Sequence, residues 1–318
     1  MNKPKFAIGC LVQWYEIDMV SEYIETLKTA LSDSDVEVLV DFTLNINQDL
    51  EKIDTDQRSM DSIIEQFKLM VEPIDNVNYR INLDLIMICD YRRWFLDYYC
   101  TRADVLMQGE SDALLPKSTF TVLNHLHNSV SNQTPKYLAT FGCCRMWDDS
   151  WVPMEHVEYT NRERDPKAWY GTRYTTSIEE LNKVNDKVED IEVTTIAPHK
   201  FNGCGIVLSS EVIKSGVNVP RGAFFIDDTA LLNTVNKLLP TIPQYHFKNI
   251  LLVHNREHSE KRKYVLDESG IDLTAKRNST NWYTVANEYS KMNDQNIFNP
   301  TYKFKTWQDV WNKIKEEK

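Results

Sequence analysis

The chain alternates between short apolar runs and longer segments whose apolar residues recur every three or four positions. Residues 6–12 form the first apolar run, and residues 17–31 follow it with apolar side chains at helical spacing. The same order recurs over residues 36–44 and 56–71. Strands that alternate with helices predict an α/β protein with a parallel sheet, because parallel neighbours need crossover connections.

The rest of the chain continues this pattern, with two exceptions. Further strands are predicted at residues 77–89 (in part), 105–107, 136–144, 191–196, 224–226 and 250–253, and further helices at 90–99, 120–126, 177–188, 209–216 and 227–239. Residues 146–174 lack periodicity, which predicts an excursion or lid over the sheet edge. After about residue 265 the chain becomes polar, and we interpret this part as an appendage with a final helix at 306–315.

Two carboxylates follow the apolar run at residues 105–107. Glu110 and Asp112 stand one residue apart, and ligands of open α/β sheets bind beyond the carboxyl ends of the strands. Such a pair can serve one hard divalent cation, which is often held by one or two carboxylates together with substrate phosphates. Because Gly, Ser and Asp are also common turn residues, residues 109–112 can equally form a solvated turn. The pattern leaves both interpretations open.

Other chemically useful groups stand at predicted element ends. Asp227 and Asp228 open a predicted helix, where acidic side chains stabilise the helix dipole and can serve simply as a cap. His254 follows the last predicted strand, and a histidine there can be a metal ligand or a structural residue. These positions become candidates for a site only if the fold brings them together.

Composition narrows the class of protein. The 318 residues are 42% hydrophobic and 26% charged, values typical of a soluble globular protein, and no apolar run has the length of a membrane span, so a cytoplasmic protein is expected. The net charge of −11 argues against a general nucleic-acid coat but not against a local basic patch. The six cysteines contain no CxxC pair, and we expect them to be reduced and buried.

Taken in order, these features resemble the GT-A glycosyltransferases, in particular the inverting, family-2-like group. The resemblance covers roughly residues 5–263 and rests on order and spacing, since no single motif is specific. It implies a GT-A, Rossmann-like α/β fold with a mixed, mainly parallel central sheet flanked by helices and a C-terminal helical appendage. Residues 1–265 would form the GT-A domain, with a nucleotide-sugar half at about 1–116 and an acceptor half at about 117–265, and residues 266–318 a C-terminal extension.

On the donor side, the resemblance implies a nucleotide-diphosphate sugar, most simply a UDP-sugar. Gln13 and Tyr15, in the loop after the first strand, would contact the nucleotide. Arg93, on the helix before the acidic motif, would bind the diphosphate. Asp41 and Asn45 are poor matches to the acidic residue that usually follows the second strand.

The resemblance also implies a divalent cation, Mn2+ or Mg2+. Glu110, Ser111 and Asp112 match the Asp-x-Asp element that binds the diphosphate and the cation, and His254 matches the late histidine that can complete the metal site. The first position of the motif is Glu instead of Asp, so Asp112 is the expected direct ligand and Glu110 either a ligand or a neighbour of one.

On the acceptor side, residues 202–205 match a glycine-bearing segment that shapes the site. Asp227 and Asp228 match the Glu-Asp pair that supplies the catalytic base, with Asp228 as the base and Asp227 orienting the acceptor. The expected reaction is hexosyl or pentosyl transfer with inversion. Flat apolar faces for a sugar or a base would come from Trp147, Trp151 and Trp169.

The acceptor stays open at this level. It is either a saccharide or a hydroxymethylated base in phage DNA, since the Asn-, Lys- and Ile-rich composition is typical of some phage proteins. A local anionic-ligand surface could come from Arg162, Arg164, Arg173, Arg256, Lys261, Arg262 and Lys263. Two alternatives are a non-catalytic nucleotide or carbohydrate-binding module and a metal-dependent nucleotidyltransferase, although the chain has no GxxxxGK loop.

Overall fold

The fold is described from a computed structural model of the chain. The described residues are 3–143, 177–196 and 203–254, apart from 47, 49, 54–56, 84–85, 221–222 and 224–226. The predicted lid, the predicted strand at 224–226, the three tryptophans and seven basic residues named above, and the C-terminal appendage lie outside these residues.

The described residues form nine strands and eight helices in an alternating order. The strands are β1 (Lys5–Gln13), β2 (Glu37–Asn45), β3 (Val77–Asn82), β4 (Val105–Gln108), β5 (Ala113–Leu114), β6 (Leu138–Cys143), β7 (Val193–Thr195), β8 (Val207–Ser209) and β9 (Gln244–His254). The helices are α1 (Val20–Ser32), α2 (Leu50–Ile53), α3 (Met60–Val71), α4 (Ile88–Tyr99), α5 (Thr119–Val130), α6 (Ile178–Asn185), α7 (Ser210–Lys214) and α8 (Asp227–Leu238).

The strands join in one mixed, mainly parallel sheet, as the sequence predicts. Its order is β3-β2-β1-β4-β8-β6-β9-β5, and β7 also pairs with β9. Strands β1 to β4, β6 and β9 run in one direction, whereas β5, β7 and β8 are antiparallel to their neighbours. The carboxyl ends of six strands therefore meet at one edge of the sheet, where ligands of such folds bind.

Side chains of the central strands alternate between two cores. In β1, Phe6 and Ile8 face the core covered by α1, α3 and α5, whereas Ala7 and Leu11 face the core covered by α4, α7 and α8. Helix α4 packs closely against β1 at Gly9, which has no side chain. A Cβ on Gly9 would lie only 2.4 Å from the ring of Phe95 in α4. This close contact sets the distance of α4, which carries Arg92 and Arg93, from β1.

Four elements differ from the sequence-based prediction. Val207–Ser209 is a strand inserted between β4 and β6 where no strand was predicted, and its three buried residues complete the sheet. Ala113–Leu114 is a short strand that pairs with β9, and β9 itself begins at Gln244 instead of about residue 250. The helix α2 occupies part of a segment expected to be a loop.

The five cysteines within the described residues, Cys10, Cys89, Cys100, Cys143 and Cys204, are buried and form no disulfide among themselves. This agrees with their prediction as small buried apolar residues. Among the helices that the structure describes, none combines the length and the apolar character needed to cross a bilayer.

Candidate active site

A row of amide side chains marks the carboxyl ends of β1, β2 and β3. Gln13, Asn45 and Asn82 lie in register as the last residues of these strands. The Asn45 amide nitrogen donates to Gln13 Oε1 at 3.0 Å, and the Asn82 amide nitrogen donates to Asn45 Oδ1 at 2.9 Å. Asp41, in contrast, is fully buried within β2 and accepts a hydrogen bond from Tyr91.

The loop after β1 is tied to the acidic motif by a buried carboxylate. A single 3-10 turn, Trp14–Glu16, places Glu16 where Ser111 Oγ donates to its Oε2 at 2.6 Å. The backbone nitrogen of Gln13 donates to the same oxygen at 3.3 Å. Tyr15 is half-buried beside this turn, with its ring edge-on to Trp14. Glu16 belongs to the loop that the resemblance assigns to the nucleotide, but its bond to Ser111 was not predicted.

His254 stands between the two carboxylates of the acidic motif. Its Nε2 lies 3.1 Å from Glu110 Oε2 and 3.1 Å from Asp112 Oδ1. The antiparallel pairing of β5 with β9 explains this arrangement, because it sets Ala113 directly opposite His254. Residues that are 142 to 144 positions apart in the sequence thus meet at the sheet edge.

Arg92 joins the acidic motif to the start of α8. One guanidinium nitrogen donates to Glu110 Oε1 at 2.7 Å, and the other is ion-paired with Asp227. Arg92 is buried, so these charge-assisted bonds compensate for its removal from water. The adjacent Arg93 is half-buried, and its backbone carbonyl accepts from Asn218.

The surroundings move the pKa values of these groups in opposite directions. Burial alone would raise the pKa of Glu110, but the neighbouring His254 and Arg92 outweigh it and lower the pKa to about 2. Burial raises the pKa of Asp227 to about 7, with Asp228 and Glu110 adding to the rise against the effect of Arg92. Glu110 is therefore ionised at neutral pH in this arrangement.

Asp228 is the more accessible member of the aspartate pair. It is only partly buried at the first turn of α8, and its Oδ1 accepts from the backbone nitrogen of Thr229 at 2.7 Å. Gly203 packs against it so closely that a Cβ there would lie 2.1 Å from Asp228 Oδ2. Of the predicted acceptor segment 202–205, residue 202 lies outside the described residues.

The donor set of this edge fits a divalent cation. One ligand atom each from Glu110, Cys204 and His254 lies within 4.8 Å of the other two, close enough for all three to reach one ion. Asp112 adds a second carboxylate beside His254. Carboxylate oxygen, imidazole nitrogen and thiol sulfur are all common metal donors.

Comparisons with known proteins find similarity in three-dimensional structure but not in sequence. No protein-family model matches the chain, and no curated protein matches it by sequence. S. aureus TarS 1–349 in complex with UDP-GlcNAc is 10% identical, with a TM-score of 0.43 over 98% of this chain and 79% of that one. The mannosyltransferase PcManGT from Pyrobaculum calidifontis, in complex with GDP-Man and Mn2+, is 12% identical, with a TM-score of 0.47 over 100% of this chain and 70% of that one. Likeness at this level assigns neither an activity nor a substrate.

Proposed function

We propose that this protein is a divalent-cation-dependent glycosyltransferase, which moves a sugar from a nucleotide-diphosphate donor to an acceptor hydroxyl with inversion. The observation that carries the proposal is the continuous path of contacts from His254 through Glu110, Arg92 and Asp227 to the partly exposed Asp228. Glycosyl transfer needs a positive centre for the leaving diphosphate and a carboxylate for the acceptor proton, and this edge of the sheet supplies candidates for both.

The donor side comprises Glu110, Asp112 and His254 as the groups that hold the cation. When bound, a divalent cation neutralises the charge that develops on a departing diphosphate. Ser111 is held by Glu16 and so fixes the backbone of the acidic motif. Gln13 and Tyr15, at the end of β1, lie where we expect the nucleotide, which we propose belongs to a UDP-sugar.

Arg92 holds the cation side of the site at a fixed position relative to the aspartate pair of α8. Because its guanidinium is engaged by Glu110 and Asp227, it holds the cation ligands and the start of α8 in one arrangement. Arg93 remains our proposed contact for the diphosphate.

Asp228 is the proposed general base. Its carboxylate is partly exposed, whereas that of Asp227 is buried and occupied by Arg92, so only Asp228 is placed to receive an acceptor hydroxyl. A base needs hydrogen-bond reach to the proton that it accepts. Asp227 then orients the first turn of α8 through its ion pair.

Gly203 is expected to be essential for the position of this base. Gly203→Ala would force the Asp228 carboxylate to move, because the new Cβ would lie 2.1 Å from Oδ2. A displacement of about 1 Å can cost about a hundredfold in rate, and we expect a loss of that size in transfer with unchanged donor affinity. The control is Gly216→Ala, where no atom lies within 4 Å of the new Cβ. That variant should lose about 1–3 kcal/mol of stability, since Gly216 has φ +93°, and keep its transfer rate. Equal rates for Gly203→Ala and the wild type would contradict the assigned role.

Removal of Arg92 is expected to affect the fold itself. Arg92→Met would leave Glu110 and Asp227 without their shared cation, and breaking a buried ion pair costs about 3–5 kcal/mol. Denaturant unfolding should show this loss. In the control variant Arg102→Met, an exposed arginine that stacks on Tyr98, the loss should be about 1 kcal/mol or less. Similar stabilities of the two variants would show that Arg92 does not link the two halves.

The acceptor is the least constrained part of the proposal, and both a saccharide and a hydroxymethylated base in phage DNA remain candidates. Purified protein should be incubated with a panel of nucleotide sugars and Mn2+, first with oligosaccharides and then with hydroxymethylated DNA, and each acceptor analysed by mass spectrometry. The expected result is a mass increase of one sugar residue on one class of acceptor. A cleaved nucleoside triphosphate with nucleotide attached to the acceptor would instead show a nucleotidyltransferase.

A further inference from the structure

A buried thiol forms the third corner of the proposed cation site. Cys204 Sγ, a carboxylate oxygen of Glu110 and a ring nitrogen of His254 lie within 4.8 Å of one another. Cys204 is only 2% exposed and forms no disulfide among the described residues. Its side chain therefore faces the same small volume as the two groups already proposed to bind the ion.

The flanking glycines hold this thiol in place. Gly203 lies against the Asp228 carboxylate, and a Cβ on Gly205 would lie 2.7 Å from Leu252 Cδ1. Gly205 also has φ +69°, a conformation that favours glycine. The backbone on both sides of Cys204 is thus confined between α8 and β9. Leu252, which Gly205 contacts, lies two residues before His254 in β9.

The combination of carboxylate, imidazole and thiol donors indicates which kind of metal ion the site favours. Carboxylate and carbonyl oxygens suit Mg2+, whereas thiolate and imidazole donors suit transition ions such as Zn2+, Fe2+ and Co2+. A thiol binds such an ion as its thiolate and releases its proton to solvent. A site built only for Mg2+ gains nothing from a sulfur donor at this position.

We propose that Cys204 is a direct ligand of the bound cation, and that the site selects a transition-metal ion over Mg2+. This inference rests on the cation site of the proposed function and extends it to the identity of the ion. It also connects the two sides of the site, because the segment that carries the ligand Cys204 also packs against Asp228 through Gly203.

Titration of the full-length protein with Co2+ tests this directly, without any activity assay. A cobalt-thiolate bond gives a charge-transfer band in the near-ultraviolet, which oxygen and nitrogen donors alone do not give. We expect the band in the wild type, its loss in Cys204→Ser, and Co2+ affinity at least about tenfold weaker in that variant, since even changes to residues behind the ligands cost about 10–100-fold. Excess Mg2+ should not displace Co2+ from the wild type.

The matched control is Cys10→Ser. Cys10 is buried in the same core, and its thiol is near enough to the acidic motif that Glu16, Glu110 and Asp112 add to the rise that burial causes in its pKa. The band should persist in this variant. If Cys204→Ser does not fold, X-ray absorption of the Zn2+-loaded wild type serves instead, with a metal-sulfur distance of about 2.3 Å expected.

The outcomes separate this inference from the function beneath it. One outcome would overturn the role of Cys204 and leave the cation site intact. In it, the wild type binds Co2+ without a thiolate band, and His254→Ala no longer binds Co2+. A band that disappears in Cys10→Ser and persists in Cys204→Ser would also overturn it. Absence of any cation binding would overturn both proposals.

Discussion

Replacing Asp228 by asparagine is expected to lower the rate of sugar transfer by about 10²- to 10⁴-fold, the usual contribution of a general base. The amide keeps the size of the carboxylate but cannot accept the proton. Because Asp228 is partly exposed and forms no ion pair with Arg92, the fold and the affinity for the nucleotide sugar should stay unchanged. Donor affinity by calorimetry and transfer by mass spectrometry separate the two effects.

Two variants make this prediction specific. Asp61 is the second residue of α3, as Asp228 is of α8, and it is exposed, so Asp61→Asn removes an equivalent helix-dipole carboxylate outside the site. It should transfer sugar at the wild-type rate. If Asp227→Asn loses transfer with its stability intact while Asp228→Asn remains active, the roles of the pair are reversed. If Asp228→Asn retains the full biological effect of the protein, a non-catalytic binding module is the better account.

Replacing Asp112 by asparagine is expected to weaken Mn2+ binding at least about tenfold and to abolish donor turnover, since outer groups alone contribute about 10–100-fold to metal affinity. Asp112 Oδ1 lies 3.1 Å from His254 Nε2, so the substitution removes a charge beside the proposed ligands. Glu110→Gln should weaken Mn2+ binding more than Asp112→Asn does, because Glu110 also binds Arg92. Mn2+ affinity is measured by calorimetry and donor turnover by release of nucleoside diphosphate.

The control for these carboxylates is Glu211→Gln. Glu211 is exposed on α7 and pairs only with Lys214 among the described ion pairs, so neither Mn2+ affinity nor turnover should change. Normal turnover in Asp112→Asn and Glu110→Gln together would show that the edge between β4 and β9 is not the cation site. Thermal unfolding of each variant without metal checks that the fold is retained.

The periodicity of the chain predicted the central architecture because long buried strands and amphipathic helices leave strong patterns. β1, β2 and α3 were predicted within a few residues. β8 was not, because two apolar residues and a serine directly before a helix have no period of their own, and only their pairing with β4 and β6 makes them a strand.

The position of Arg92 shows where sequence reasoning reached its limit. It stands on α4 beside Arg93, and it is buried whereas Arg93 is half-buried. Cys89, Leu96 and Tyr99 are buried and lie three before, four after and seven after Arg92. That spacing was a signal for Arg92, but its two carboxylate partners are 18 and 135 residues away and could not be identified from local pattern.

The contacts of Glu16 and Cys204 were not predicted for the same reason. Each is unremarkable in its own segment, one a polar residue after a strand and the other a cysteine between glycines. Each residue joins the site through partners that are distant in the sequence. Ser111, for example, is 95 residues from Glu16. Long-range pairing at the carboxyl edge of the sheet, not local sequence, assembles this site.

The most direct test of the central claim is the release of nucleoside diphosphate from a panel of nucleotide sugars by the purified protein, with Mn2+ and with excess chelator. The proposed function predicts that at least one donor is turned over with Mn2+, that an acceptor hydroxyl increases the rate, and that the chelator abolishes it. A rate that is unchanged in excess chelator, or the absence of turnover with every donor when the folded protein binds Mn2+, would contradict cation-dependent glycosyl transfer at this site.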